Sequence, residues 1–210
     1  MAVTGLLLLL FAIFHMLGHL QMFGGQDMYN SYAHFLQDLW EVKWPTRVGL
    51  LALIAIHIML GVSLSIANKS ARSTKYAVYR PVISRGPGRT MAITGIVVAA
   101  FLTFHILHFT LGQVQPEYFH QLDAKDRYDA YSMFVYGFQN PGIFVAYLVG
   151  IGLLALHLGH GASAWLQSLG WRHPKYETDS LGAWVSALLF IGYMIPPTAV
   201  LVGFIRLPGA

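Results

Sequence analysis

The chain has 210 residues, 56% of them hydrophobic and 10% charged, with a formal net charge of +4 and a mean hydropathy of +0.55. Soluble domains carry about 25% charged residues, so this composition excludes an ordinary soluble fold and describes an integral membrane protein. There is no Cys, which excludes disulfides, thiolate metal sites, iron–sulfur clusters and CxxCH haem attachment, and the modest charge calls for no nucleic acid.

Five apolar segments are long enough to span a bilayer, which takes about 20 residues: 2–23, 47–67, 91–111, 141–167 and 181–205. The first lacks a basic n-region and an A-x-A-like cleavage site and contains His15 and His19, so it reads as a mature helix rather than a signal peptide. The second carries His57, the third His105 and His108, the fourth His157 and His160, and the fifth none. Pro196-Pro197 is expected to kink or interrupt the fifth. The connections 24–46 and 112–140 contain YNSYAHFLQDLW and YDAYSMFVYGF, amphipathic stretches expected to form interfacial helices. The fold class is all-α: one transmembrane domain of five helices.

Charge alternates between the connections. Lys69, Arg72, Lys75, Arg80, Arg85, Arg89, Arg172 and Lys175 share one side with only Glu177 and Asp179. The other side holds five bases, Lys43, Arg47, Lys125, Arg127 and Arg206, against seven acids. Basic loops stay cytoplasmic, so the N-terminus is expected inside and the C-terminus outside.

Ionisable side chains in membrane helices are costly and mark functional sites. At about 1.5 Å per residue, His15 falls level with His105 in the outer half, and His57 level with His157 in the inner half. Local sequence pairs them the same way. Phe14-His15-Met16-Leu17 resembles Phe104-His105-Ile106-Leu107, and His57 and His157 each have a glycine four residues on, Gly61 and Gly161, as Gly18 lies near His15. A glycine there lets a flat ring approach the backbone. Two histidine pairs from different helices at two depths suit two bis-histidine haems, since imidazole is a strong haem ligand and no acidic cluster accompanies them. A single membrane histidine is as readily a helix–helix hydrogen-bond residue; four helices with histidine at matched depths argue against that plainer reading. His19, His108 and His160 lie one turn from these ligands and suit packing, propionate or quinone contacts.

FHMLGHLQ at 14–21, YNSYAHFLQDL at 29–39, AIHIMLGV at 55–62, TGIVVAAFLTFHILH at 94–108 and NPGIFVAYLVGIGLLALHLGHG at 140–161 together resemble the five-helix dihaem cytochrome b anchor subunit of succinate:quinone oxidoreductases, which include fumarate reductases. The resemblance implies four helices bundled around two haem b groups, the outer on His15 and His105 and the inner on His57 and His157. It implies a flavoprotein (FAD) subunit and an iron–sulfur subunit on the cytoplasmic face of a prokaryotic inner membrane, and a quinone, commonly menaquinone, near the outer haem. His34, Gln37, Asp38 and Glu41 are the candidate quinone residues; where the family carries an acid, this chain has Gln37 with Asp38 beside it. The basic loop 69–89 is expected either to dock the soluble subunits and hold haem propionates or simply to fix topology. Two other readings compete: a cytochrome b anchor for a different quinone-linked dehydrogenase, and a histidine-lined transporter without haem.

Overall fold

The computed structural model describes residues 1–71, 86–170, 178–207 and 209. Most of the basic loop 69–89, and Arg172, Lys175 and Glu177 in the connection before the last helix, lie outside them. Seven α-helices are present among the described residues: α1 (Ala2–Leu20), α2 (Gly25–Asp38), α3 (Trp40–Ser70), α4 (Gly86–His105), α5 (Ala130–Gln139), α6 (Pro141–Ser168) and α7 (Thr178–Leu201). Five stretches are long and apolar enough to cross a membrane: α1 (running on into α2), α3, α4 with its extension, α6 and α7. The protein is therefore all-helical and built as a multi-pass membrane protein.

Several boundaries depart from the hydropathy reading. The first helix leaves α geometry at Leu20 for a 3₁₀ turn, Gln21–Gly24, and Gly25 turns the chain with a φ of 86°. The second begins at Trp40, not at residue 47, and passes through Pro45. Its first two turns mix Trp with charge: Trp40 and Trp44 meet at 5.6 Å, with Lys43 over Trp40 and Arg47 over Trp44. Such an aromatic and basic girdle belongs at a membrane–water interface and is too polar to register as a span. The third helix widens to π geometry over Ile106–Thr110.

The fifth spanning helix is not interrupted at Pro196-Pro197; it stays helical through both. The lost N–H donors are tolerated because the flanking turns are locked by packing, with Met194, Ala199 and Val200 all buried. The helix ends at Leu201, where Gly203 (φ 74°) lets Phe204 and Ile205 donate back to the Ala199 carbonyl.

The spanning helices do not pack evenly. α6 and α7 approach closely through small residues: a Cβ on Gly159 would run into the Gly182 carbonyl and the Ser186 side chain, and Ser186 donates to the Ala155 carbonyl at 2.9 Å. Tyr193 of α7 donates to the Ala12 carbonyl of α1 at 2.6 Å. α3, by contrast, has no buried residue. It meets α1 through His57 and Thr4, and between α1, α3, α4 and α6 lies the main cavity among the described residues.

One end of the bundle is closed by α2, α5 and the connection 112–129. α5 is not an interfacial helix lying on the surface. Phe134, Val135 and Phe138 are buried in the main core beside Tyr147 and Met194, because its apolar face fills the gap above α6 and α7. A polar latch joins it to α2. Asn30, 0% exposed, donates to Asp129 at 2.9 Å and Asp123 at 3.1 Å and accepts from the Tyr131 backbone N–H at 2.9 Å. Asp129 also caps α5 by accepting from Ser132 N–H at 3.0 Å. Arg127 binds both Asp123 (2.6 Å) and Asp27 (2.8 Å). Burial pushes the Asp123 carboxyl up, but hydrogen bonds from the Arg127 side chain, the Arg127 and Lys125 backbone and Asn30 outweigh it and hold the group well below the usual carboxylate range.

Candidate functional site

The cavity measures about 2600 Å³ and is lined mainly by α1, α3, α4 and α6. Drug-sized ligand pockets run to roughly 300–1,000 Å³, so this space is large enough for more than one sizeable flat group. His15, His19, His57, His105 and His157 all line it.

The histidines meet across the cavity in two places. The His15 and His105 rings lie 5.9 Å apart, centroid to centroid, with planes at 81°. Those of His57 and His157 lie 6.4 Å apart at 71°. An imidazole nitrogen binds a first-row metal at about 2.0–2.1 Å, so with the two ring radii added, imidazoles on opposite sides of one metal have centroids roughly 6–6.5 Å apart. The His57–His157 pair has that spacing, and the His15–His105 pair falls just short of it. Among the described residues no group of three or more His, Cys, Asp or Glu converges as a metal cage.

The second ring nitrogens carry the finer information. Metal-bound histidines almost always donate their other N–H to a fixed acceptor, which sets the tautomer and aims the free nitrogen. Thr4 Oγ1 lies 3.0 Å from His57 Nδ1, and the same hydroxyl donates to the Met1 carbonyl at 3.0 Å. Thr94 Oγ1 lies 3.3 Å from His157 Nδ1 and donates to the Met91 carbonyl at 3.1 Å. A hydroxyl has one proton. With that proton spent on the backbone, each threonine must accept from Nδ1–H, which leaves Nε2 unprotonated. His105 Nδ1 lies 3.2 Å from the Tyr147 hydroxyl. Three of the four histidines thus have Nδ1 held by a hydroxyl on a neighbouring helix, and their residues fit bis-histidine haem in spacing, room and tautomer.

His15 is different. Its Nε2 lies 3.2 Å from Nε2 of His19, whose Nδ1 is held by Tyr29 at 2.9 Å. His19 therefore has the anchored geometry that His15 lacks, although His15 is the residue whose ring faces His105. His108 is only 2% exposed. It bonds Tyr147 at 3.1 Å and Gln115 at 3.2 Å and does not line the cavity. His160 is half-buried one turn beyond His157. Gly61 and Gly161 line the cavity, and a Cβ on Gly161 would meet nothing within 4 Å. Gly18 instead accommodates Tyr32: a Cβ there would fall 2.7 Å from the Tyr32 hydroxyl.

The four residues named for quinone contact do not converge on one site. Gln37 lines the cavity at its capped end, beside Tyr32 and Leu36. His34 and Asp38 pair with each other at 3.3 Å on the exposed face of α2, and Glu41 is exposed at the start of α3.

Sequence reasoning missed Thr4, Thr94, Tyr29 and Tyr147. For the threonines a signal existed: MAVTG at 1–5 and MAITG at 91–95 stand at the same spacing as His15 and His105. Tyr147 carries no local signal, because it serves two histidines of another helix. No family model, curated protein or solved structure matches this chain.

Proposed function

We propose that the chain is a membrane cytochrome b that anchors a succinate:quinone oxidoreductase and passes electrons between its iron–sulfur subunit and a membrane quinone. The observation that carries the proposal is the pair of cross-helix histidine couples, 5.9 and 6.4 Å apart, at two levels of one cavity. His15 with His105 and His57 with His157 would each hold a haem b, which would supply a one-electron carrier at each level.

The chain's own part is to hold, orient and shield. His57 and His157 present Nε2 because Thr4 and Thr94 take their other protons; His105 does so through Tyr147. α7 seals the far side of α1 and α6, while α5 and α2 close the capped end against water. A quinone enters beside the outer couple, where Tyr29, Tyr32 and Gln37 supply hydroxyl and amide groups to its carbonyls. The basic end faces the cytoplasm by the charge rule, where the flavoprotein and iron–sulfur subunits dock; the capped end faces outward, and menaquinone is the preferred quinone.

The test is purification from a prokaryotic membrane with its native partners. The expected result is two haem b per chain by pyridine haemochrome, low-spin bis-histidine spectra, and copurification of a flavinylated subunit. A colourless protein refutes the proposal. A haem protein that brings down a different dehydrogenase moves it to another quinone-linked complex.

A further inference from the structure

We propose that Tyr147, His108 and Gln115 form a hydrogen-bonded relay that positions His105 and sets its electron donation to the outer haem. This rests on the reading that His105 is a haem ligand.

Four side chains stand in line: His105 Nδ1 to Tyr147 Oη at 3.2 Å, Tyr147 Oη to His108 Nδ1 at 3.1 Å, and His108 Nε2 to Gln115 Oε1 at 3.2 Å. Each hydroxyl has one proton and each neutral imidazole one N–H, so a single constraint at either end orders the whole line. If His105 Nε2 faces iron, its proton is on Nδ1 and goes to Tyr147. The tyrosine proton must then point at His108 Nδ1, and the His108 proton, forced to Nε2, goes to the Gln115 carbonyl oxygen. That oxygen is an acceptor only, so the far end of the line demands the same order. Every bond is satisfied in one arrangement.

Two local features exist to build it. The chain widens to π geometry over Ile106–Thr110, and such π turns occur often at functional sites. Here the wide turn starts directly after His105 and carries His108, and both rings meet one hydroxyl of α6. Gln115 holds a left-handed backbone conformation, φ 62°, immediately before Pro116. A non-glycine residue in that region is strained and persists only where its surroundings require it; this one turns its amide inward onto a histidine that is 2% exposed. Gly137 of α5 lies over the same ring, where a Cβ would come within 3.2 Å of His108 Cε1.

A hydrogen bond from Nδ1–H raises the basicity of the ligating nitrogen, and hydrogen bonding around an axial ligand is one lever on haem potential. The relay also polarises Tyr147 from behind, strengthening its grip on His105. The inner couple has no such extension: its acceptors, Thr4 and Thr94, end on backbone carbonyls.

The experiment is a spectroscopic redox titration of the purified complex for wild type, Tyr147→Phe, His108→Phe and Gln115→Met. Tyr147→Phe is expected to keep both haems while shifting the reduction equilibrium of one by about tenfold toward the reduced form, equivalent to about 59 mV for one electron. The low-spin EPR signal of that haem should shift too, and the other haem should be unmoved. His108→Phe should give a smaller shift of the same haem, and Gln115→Met a smaller one still. If Tyr147→Phe fails to fold, the graded pair His108→Phe and Gln115→Met carries the test alone. Two haems with unchanged potentials and EPR signals in all folded variants overturn the relay. A wild type without haem overturns the underlying reading instead.

Discussion

Thr94→Val isolates the inner couple. The substitution keeps the shape of the side chain and removes one oxygen, so the bundle need not repack. In the structure that oxygen donates to Met91 and faces His157 Nδ1 at 3.3 Å. Without it the Nδ1–H of a half-buried histidine loses its acceptor. Leaving a buried donor unmet costs about 1–3 kcal/mol. The 3.3 Å distance and incomplete burial place this case in the lower half, about 1–2 kcal/mol, which is roughly 5–30-fold in an equilibrium constant. That overlaps the lower end of the 10–100-fold effect typical of residues behind a metal ligand. The assay is transfer of haem from the purified protein to an excess of apomyoglobin. One haem of the two should leave roughly 5–30-fold more readily in Thr94→Val, with the other unchanged. Thr4→Val, acting on a 3.0 Å contact, should destabilise the same haem. Equal retention of both haems in wild type and both variants, or loss of the haem bound by His15 and His105, would refute the reasoning.

Four further outcomes are expected. Replacing His57 or His157 by Ala should halve the haem content and leave the remaining haem with its wild-type spectrum. His19→Phe, which gives position 19 the residue that stands at 109, should retain the outer haem, whereas His15→Phe should lose it; the reverse result would make His19 the ligand. Gly159→Ala should lower the thermal midpoint in detergent, since a Cβ there meets the Gly182 carbonyl and overpacking costs about 1–3 kcal/mol. Asp123 has its acidity strengthened in the folded state, so its contribution is complete above the unfolded carboxylate value of about 3.9 and is lost as pH falls below it. Wild type should therefore keep its advantage over Asp123→Asn down to about pH 4 and lose it progressively as pH falls toward 2 in melting experiments.

The spanning segments were legible because hydropathy over a long window decides them: the run 91–111 carries no Asp, Glu, Lys or Arg over 21 residues. Their ends were less so. Trp40, Lys43, Trp44 and Arg47 extend the second spanning helix with cations set over indoles, a pattern of membrane interfaces that hydropathy does not weigh. Pro196 and Pro197 announced a break that the packing of Met194 and Val200 overrides. YDAYSMFVYGF announced an amphipathic helix, and one forms; that it sinks into the core depends on a gap above α6 and α7 that no local pattern describes. The histidines were identifiable because charge-bearing rings are rare in such runs, and their pairing followed from depth. Tyr147 was invisible, being one tyrosine of eleven whose partners arrive from α4.

The repeat between the two halves explains where this chain is specialised. Met1, Thr4, Gly5, Phe11, Phe14 and His15 are matched at one constant spacing by Met91, Thr94, Gly95, Phe101, Phe104 and His105. The matched threonines hold the two histidines of the inner couple in the same way, each from the helix beside it, and the matched glycines lie against those rings, with Cβ positions 3.4 and 3.5 Å from Cε1 of His57 and His157. The inner site is thus built twice from one plan. Past His15 and His105 the plan diverges. His19 and Tyr29 stand behind one ring, and Tyr147, His108 and Gln115 behind the other. On the proposed function, a symmetric pair of ligands would be enough to hold a haem, so the divergent polar groups would serve something the inner site does not need. They lie at the capped end, within reach of the only part of the cavity that also offers Tyr32 and Gln37 among its described lining. On the proposed function, the asymmetry would serve the exchange of electrons with a small polar-headed molecule at the outer couple, and the inner couple would be a plain conductor.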